Sequence, residues 1–165
     1  MTSSRASGPP SEGRRKARDP DAALVIVIHS LKQAVTALSA AAEAGRAIIL
    51  ASPPDAGIYV GPSWFREVVH AASKAVPDAR FTAILDCGGD AGAAMAAIRA
   101  GVEAIVFTGR IDVAERLTDI AVQAGAELLS ERPAVLLDIG ASFFADDEDL
   151  RRRCADALAS KAAFC

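Results

Sequence analysis

The sequence predicts an α/β fold: five to six mostly parallel strands alternating with helices, arranged as a partial TIM-barrel-like sheet or as an open doubly wound one. Three observations lead there. Short apolar runs rich in β-branched residues, of which residues 23–28 (ALVIVI) are the clearest, have the composition of strands buried on both faces. Between them lie segments whose apolar residues recur at helical spacing. The two kinds of segment alternate strictly, which implies right-handed crossovers and a parallel sheet.

The first strand is followed by Ser30 with Gln33 three residues on, a capping box. Leu31, Ala34, Val35, Leu38, Ala41 and Ala42 then line one helical face up to Gly45, a helix terminator. Residues 47–50 read as the second strand. The turn formers Ser52-Pro53-Pro54-Asp55-Ala56-Gly57 read as a loop. Pro62 suits the first turn of the next helix, with the stripe Phe65, Val68, Val69, Ala72 and Val76, and Pro77 stops it. Residues 81–85 form the third strand, and Gly88-Gly89-Asp90 turns into an alanine-rich helix ending at Gly101. Residues 104–107 are the fourth strand. Asp112 and Glu115 repeat the capping-box pattern before a stripe of Val113, Leu117, Ile120 and Ala121, closed by Gly125. Residues 127–129 and 134–137 are two further short strands, split by Glu131-Arg132-Pro133. A last helix begins near Asp146 or Asp147, its acids ahead of its arginines as the helix dipole favours.

With 165 residues, 52% of them hydrophobic and 24% charged, the chain has enough material for one core, and residues 21–165 read as a single domain. Residues 1–20 read as a disordered basic tail holding five of the 18 lysines and arginines. The tail lacks the apolar stretch of a secretory signal. A net charge of -3 offers no basic face for nucleic acid. No apolar run is long enough to cross a bilayer, so no membrane partner is expected. Cys87, Cys154 and Cys165 are odd in number and fit no disulfide or metal spacing, which makes a reducing cytoplasm the expected location. Six strands cannot close an eight-stranded barrel, and an exposed sheet edge is usually covered, so a homo-oligomer is expected.

Ligands of parallel α/β folds bind beyond the C-terminal strand ends. The polar residues there are His29, Ser30, Ser52, Asp86, Cys87, Thr108 and Asp138. Such a set suits acid–base chemistry. It equally suits ordinary duties: Ser30 as a helix cap, Asp86 as acceptor of backbone N–H bonds from the glycine turn, Cys87 as a small buried hydrophobe. Gly88-Gly89 precedes a helix and could cradle an anion, though Asp90 at the cap would repel one. His70 falls on a flank of its helix and takes no role.

The stretch from Ser30 to Gly109, with "SLKQAVTALSAAAEAGRAIILAS", "ILDCGGD" and "AAIRAGVEAIVFTG", resembles the first half of class II fructose-bisphosphate and tagatose-bisphosphate aldolases. The resemblance implies a barrel-type fold and C–C lyase ancestry. Asp86 would stand for the family's general acid/base, and Cys87 for the zinc-ligand histidine beside it. Ser52 would stand for the serine near the substrate. Ile84 replaces the motif's first histidine, and the remaining ligands have no matching positions. A zinc site needs at least three protein ligands, so no cofactor is expected; zinc at Cys87 is the alternative.

Three functional readings follow. The first is a non-catalytic aldolase-like module that binds a small phosphorylated or carbonyl metabolite or acts in regulation. The second is an active lyase or isomerase with Asp86 and His29 as catalytic groups and Ser52, Ser30 and Thr108 binding substrate. The third is a protein-interaction adaptor.

Overall fold

Strand β1 (Val25–Val27) is apolar on both sides and fully enclosed, with β2 (Ala47–Ala51) on one flank and β6 (Leu137–Asp138) on the other. The computed structural model describes residues 24–142 and 144–160; the expected tail at residues 1–20 and Cys165 lie outside the described residues. Beyond β2 come β3 (Arg80–Asp86), β4 (Ala104–Val106) and β5 (Glu127–Leu129), giving one open six-stranded sheet in the order β5-β4-β3-β2-β1-β6, parallel throughout.

The helices are α1 (Leu31–Glu43), α2 (Ala56–Tyr59), α3 (Pro62–Ala75), α4 (Ala91–Arg99), α5 (Ile111–Gln123) and α6 (Asp147–Ser160). From β1 to β5 the chain steps across the sheet in one direction. Right-handed crossovers then place every helix on the same side. The core agrees: Ile26, Leu50, Leu85 and Ile105 pack with buried residues of α1, α3, α4, α5 and α6 in one cluster. The opposite face carries a second cluster of Val25, Val27, Ile49, Ala51, Ile84, Ala104 and Val106, with no helical residue in it. Of the two arrangements expected, the sheet is open, and the helical residues in the core pack on one of its faces only.

The link from β5 to β6 has no helix. On a flat sheet these strands lie five spacings apart, about 24 Å. The eight residue steps from Leu129 to Leu137 reach at most about 29 Å when fully extended. The intervening segment therefore has little slack and runs across the second face as a strap. Arg132, Pro133 and Val135 lie against Val25, Val27, Ala51, Ile84 and Val106, and the Leu136 amide donates to Val25 O at 2.9 Å.

Two expected caps differ in the structure. Ser30 Oγ accepts from Gln33 N at 3.2 Å as a cap should. Gln33, however, reaches one residue further back than a capping box, accepting from His29 N at 2.7 Å and donating to Ile139 O at 2.8 Å. Its side chain is buried, and it ties β1 to the segment after β6. Asp112 is no cap at all: α5 begins at Ile111 behind Arg110, and Asp112 pairs with the Arg110 guanidinium at 2.9 Å. The expected loop after β2 also holds a one-turn helix, α2, entered through Asp55 in the left-handed region at φ 59°. Among the described residues, no helix is long and apolar enough to cross a membrane.

Candidate functional site

Asp86 ends β3, the strand flanked by β2 and β4, and its side chain is 6% exposed. A carboxylate in such a place must find donors or lose its charge. It finds four. Oδ1 accepts from Gly88 N at 2.8 Å, Asp55 N at 3.0 Å and Arg132 Nη2 at 3.3 Å, while Oδ2 accepts a very short bond from Arg132 Nε. The turn after β3, the loop after β2 and the strap are thereby fastened to one carboxylate. The two backbone donors of the clasp have local causes. The left-handed Asp55 turns its amide inward, and Gly88 at φ 52° leaves space that a Cβ would take from the Asp55 carboxylate.

Ser52 sits at the end of β2 and is also buried. Its Oγ accepts from Asp86 N at 2.9 Å and donates to Pro53 O at 3.0 Å. Ser52 and Asp86 therefore meet at one pole, but through the Asp86 backbone. Arg132 is the residue the sequence reading passed over, seen there only as part of a loop between strands. Its side chain is 45% exposed, and Nη2 also approaches Asp55 Oδ1 at 3.4 Å. The Asp86 hydrogen bond raises the guanidinium further above its already high range, so it stays charged. No hydrogen bond to Nη1 occurs among the described residues.

His29 is elsewhere on the same pole. It follows β1, and its Nε2 meets Asp138 Oδ1 of the neighbouring β6 at 2.8 Å; that oxygen also accepts from Gly140 N at 2.8 Å. The Nε2 end of the imidazole abuts Gly140, where a Cβ would collide with the ring. The described hydrogen bonds therefore divide the expected residues into two groups, Asp86 with Ser52 and His29 with Asp138. Ser30 is occupied as the α1 cap. Thr108 is exposed and its amide donates to Gly88 O at 2.8 Å, which joins the loops after β3 and β4.

Cys87 is fully buried beneath Gly57, and burial, with the Asp86 and Asp90 charges adding, pushes its thiol up to about 12. A thiol so reluctant to ionise is a poor metal ligand. Among the described residues, no group of three or more His, Cys, Asp or Glu side chains could hold a metal ion. The residues present do not fit the zinc that an aldolase ancestry implies. The gap under the strap, bounded by Ser52, Asp86, Arg132 and apolar side chains, is about 50 Å³, room for a water and not for a metabolite.

No protein-family model matches the chain. No curated protein matches it either, so the aldolase resemblance gains no support from these two comparisons. Among solved structures the chain is similar to a probable tagatose 6 phosphate kinase from Sinorhizobium meliloti 1021, at 14% identity and a TM-score of 0.47. That likeness covers 86% of this chain and 46% of the other, so the chain spans less than half of that protein's length.

Proposed function

We propose that this chain is a non-catalytic, aldolase-like binding module. It holds a small phosphorylated or carbonyl-bearing anion at the C-terminal mouth of its sheet, with Arg132 as the contacting cation. One observation carries the reading: four donors already occupy the Asp86 carboxylate. A general base needs a lone pair facing the proton it removes. Here Oδ1 faces two backbone amides and the guanidinium, and Oδ2 faces the guanidinium. Arg132 has the opposite character, anchored on one edge and half exposed on the other. An anchored guanidinium loses little freedom when it binds an oxyanion, and its planar fork suits phosphate or carboxylate. The ligand sits outside the strap, because the space beneath it is too small. A cytoplasmic, homo-oligomeric protein belongs to the same proposal.

Thermal shift with inorganic phosphate and fructose 1,6-bisphosphate, with aldol cleavage followed in parallel, tests the module. The expected result is stabilisation that weakens in Arg132→Gln, with no cleavage with or without added zinc. Cleavage that disappears in Asp86→Asn or in His29→Gln would replace this reading with the lyase one.

A lyase or isomerase is the second reading, and the 2.8 Å contact between His29 and Asp138 favours it. A carboxylate can orient an imidazole for proton transfer, so His29 would be the base in that case.

A further inference from the structure

Residues 58–64, Ile-Tyr-Val-Gly-Pro-Ser-Trp, carry no charge and include the chain's single tyrosine and single tryptophan. They join α2 to α3, and the segment is held at both ends. Ala56 and Gly57 are buried, the latter against Cys87, and Phe65 is buried in the helical core. Between these anchors the large side chains turn outward: Tyr59 is 62% exposed and Ile58 53%, with Val60 and Trp64 exposed as well. The segment's core contacts are made by Ala56 and Phe65, so burial within the chain does not account for these four. Tyr59 is also fixed, because its hydroxyl donates to Pro54 O at 2.9 Å. Side chains of this size and exposure present about 400 Å² of mostly apolar surface, an area at which patches on single chains are often functional.

We propose that this patch is the contact between two copies of the chain, packed face to face beside the Arg132 mouth. The inference rests on the oligomeric part of the reading above and names its surface. Charge selects the partner. Each copy carries a net charge of -3, so self-association needs a face free of charge, and residues 58–64 supply one. The charged residues flanking them are already paired: Asp55 approaches Arg132 at 3.4 Å, and Arg66 holds Glu67 at 2.8 Å. Residues 55–67 include one basic residue, Arg66, too few to draw the segment to an anionic lipid surface. Two such patches bury about 800 Å² together, below the roughly 1,200 Å² of a stable specific interface, so the dimer is a weak one. A patch already held in place loses little freedom on association. Pro54, the acceptor of the Tyr59 hydroxyl, walls the same gap as Asp86 and Arg132, so the second copy stands next to the anion site.

Sedimentation velocity of the full chain across a concentration series tests the proposal, with the emission of Trp64, the sole tryptophan, read at each concentration. A monomer–dimer equilibrium with a Kd on the order of 10 µM is expected, and the emission should move to the blue as dimer forms. Ile58→Glu places a charge in the contact and should raise that Kd at least about tenfold, with an unchanged melting temperature in dilute solution. If that variant fails to fold, Val60→Lys decides in its place. A monomer at every concentration would overturn the proposal together with the oligomeric part of the reading. An unchanged Kd in the folded variant, or an emission that does not follow association, would overturn the surface alone and leave the oligomer standing.

Discussion

Replacing Arg132 with alanine removes the only side-chain cation on Asp86 among the described residues and leaves a carboxylate side chain that is 6% exposed. Breaking a buried ion pair by deleting one partner costs about 3–5 kcal/mol. Two features reduce that figure here. The amides of Asp55 and Gly88 still donate to Oδ1, and Arg132 is 45% exposed, so water screens part of the attraction. The strap also loses its central fastening, which acts in the other direction. About 2 kcal/mol of destabilisation is the expected net, or roughly 4–8 °C in melting temperature for a chain of this size. Urea unfolding followed by circular dichroism measures it. The double variant Asp86→Asn/Arg132→Gln should lose clearly less than the two single changes added together, because the orphaned charge is gone. Strictly additive losses, or an Arg132→Ala variant within about 0.5 kcal/mol of the parent, would refute the clasp, since that is the range of an ordinary surface change.

Gly57→Ala places a Cβ 2.5 Å from Cys87 Sγ and 3.1 Å from Asp86 O. Overpacking of this kind costs about 1–3 kcal/mol, and Cys87→Ala should recover part of it in the same unfolding assay. Cys87 and Cys154 stay protonated in the fold, pushed by burial to about 12 and about 11 from an ordinary 9.0. Their folded pKa values are raised, so the stability they contribute is present below about pH 9 and is lost as pH rises towards 11–12. Unfolding free energy should fall over that window, by less in Cys154→Ala, and neither buried thiol should react with iodoacetamide in the native protein at pH 8, against a Cys165→Ser background. The His29–Asp138 contact is half exposed, and a double-mutant cycle with alanine should give a coupling below about 1 kcal/mol.

The strands were legible in the sequence because their apolar runs are continuous and local. Residues 127–129 form β5 as read, and the ends of β1 to β4 move by one or two residues. The position of β6 was not legible. Its two-residue ladder depends on pairing with Val27 and Ile26, far away in sequence, and on the strap that delivers it. The polar set at the strand ends was read as a rim of candidates. The partition into two groups was not readable, since Asp138 meets His29 only when β6 pairs beside β1. Arg132 was hidden for a related reason. Glu131-Arg132-Pro133 has the composition of any turn, and only the shortness of the link from β5 to β6 could have signalled that it must cross the sheet. The capping-box patterns show the limit of local motifs. Ser30 caps α1, but burial of Gln33 against Ile139 redirected its partner, and Asp112 fell inside α5 beside Arg110.

Isothermal titration of fructose 1,6-bisphosphate into the parent, Arg132→Lys and Arg132→Gln proteins measures the mouth directly. Lysine keeps the charge but loses the planar fork, so binding should be strongest in the parent, weaker with lysine and weakest with glutamine. Equal heats of binding in all three proteins would contradict the account.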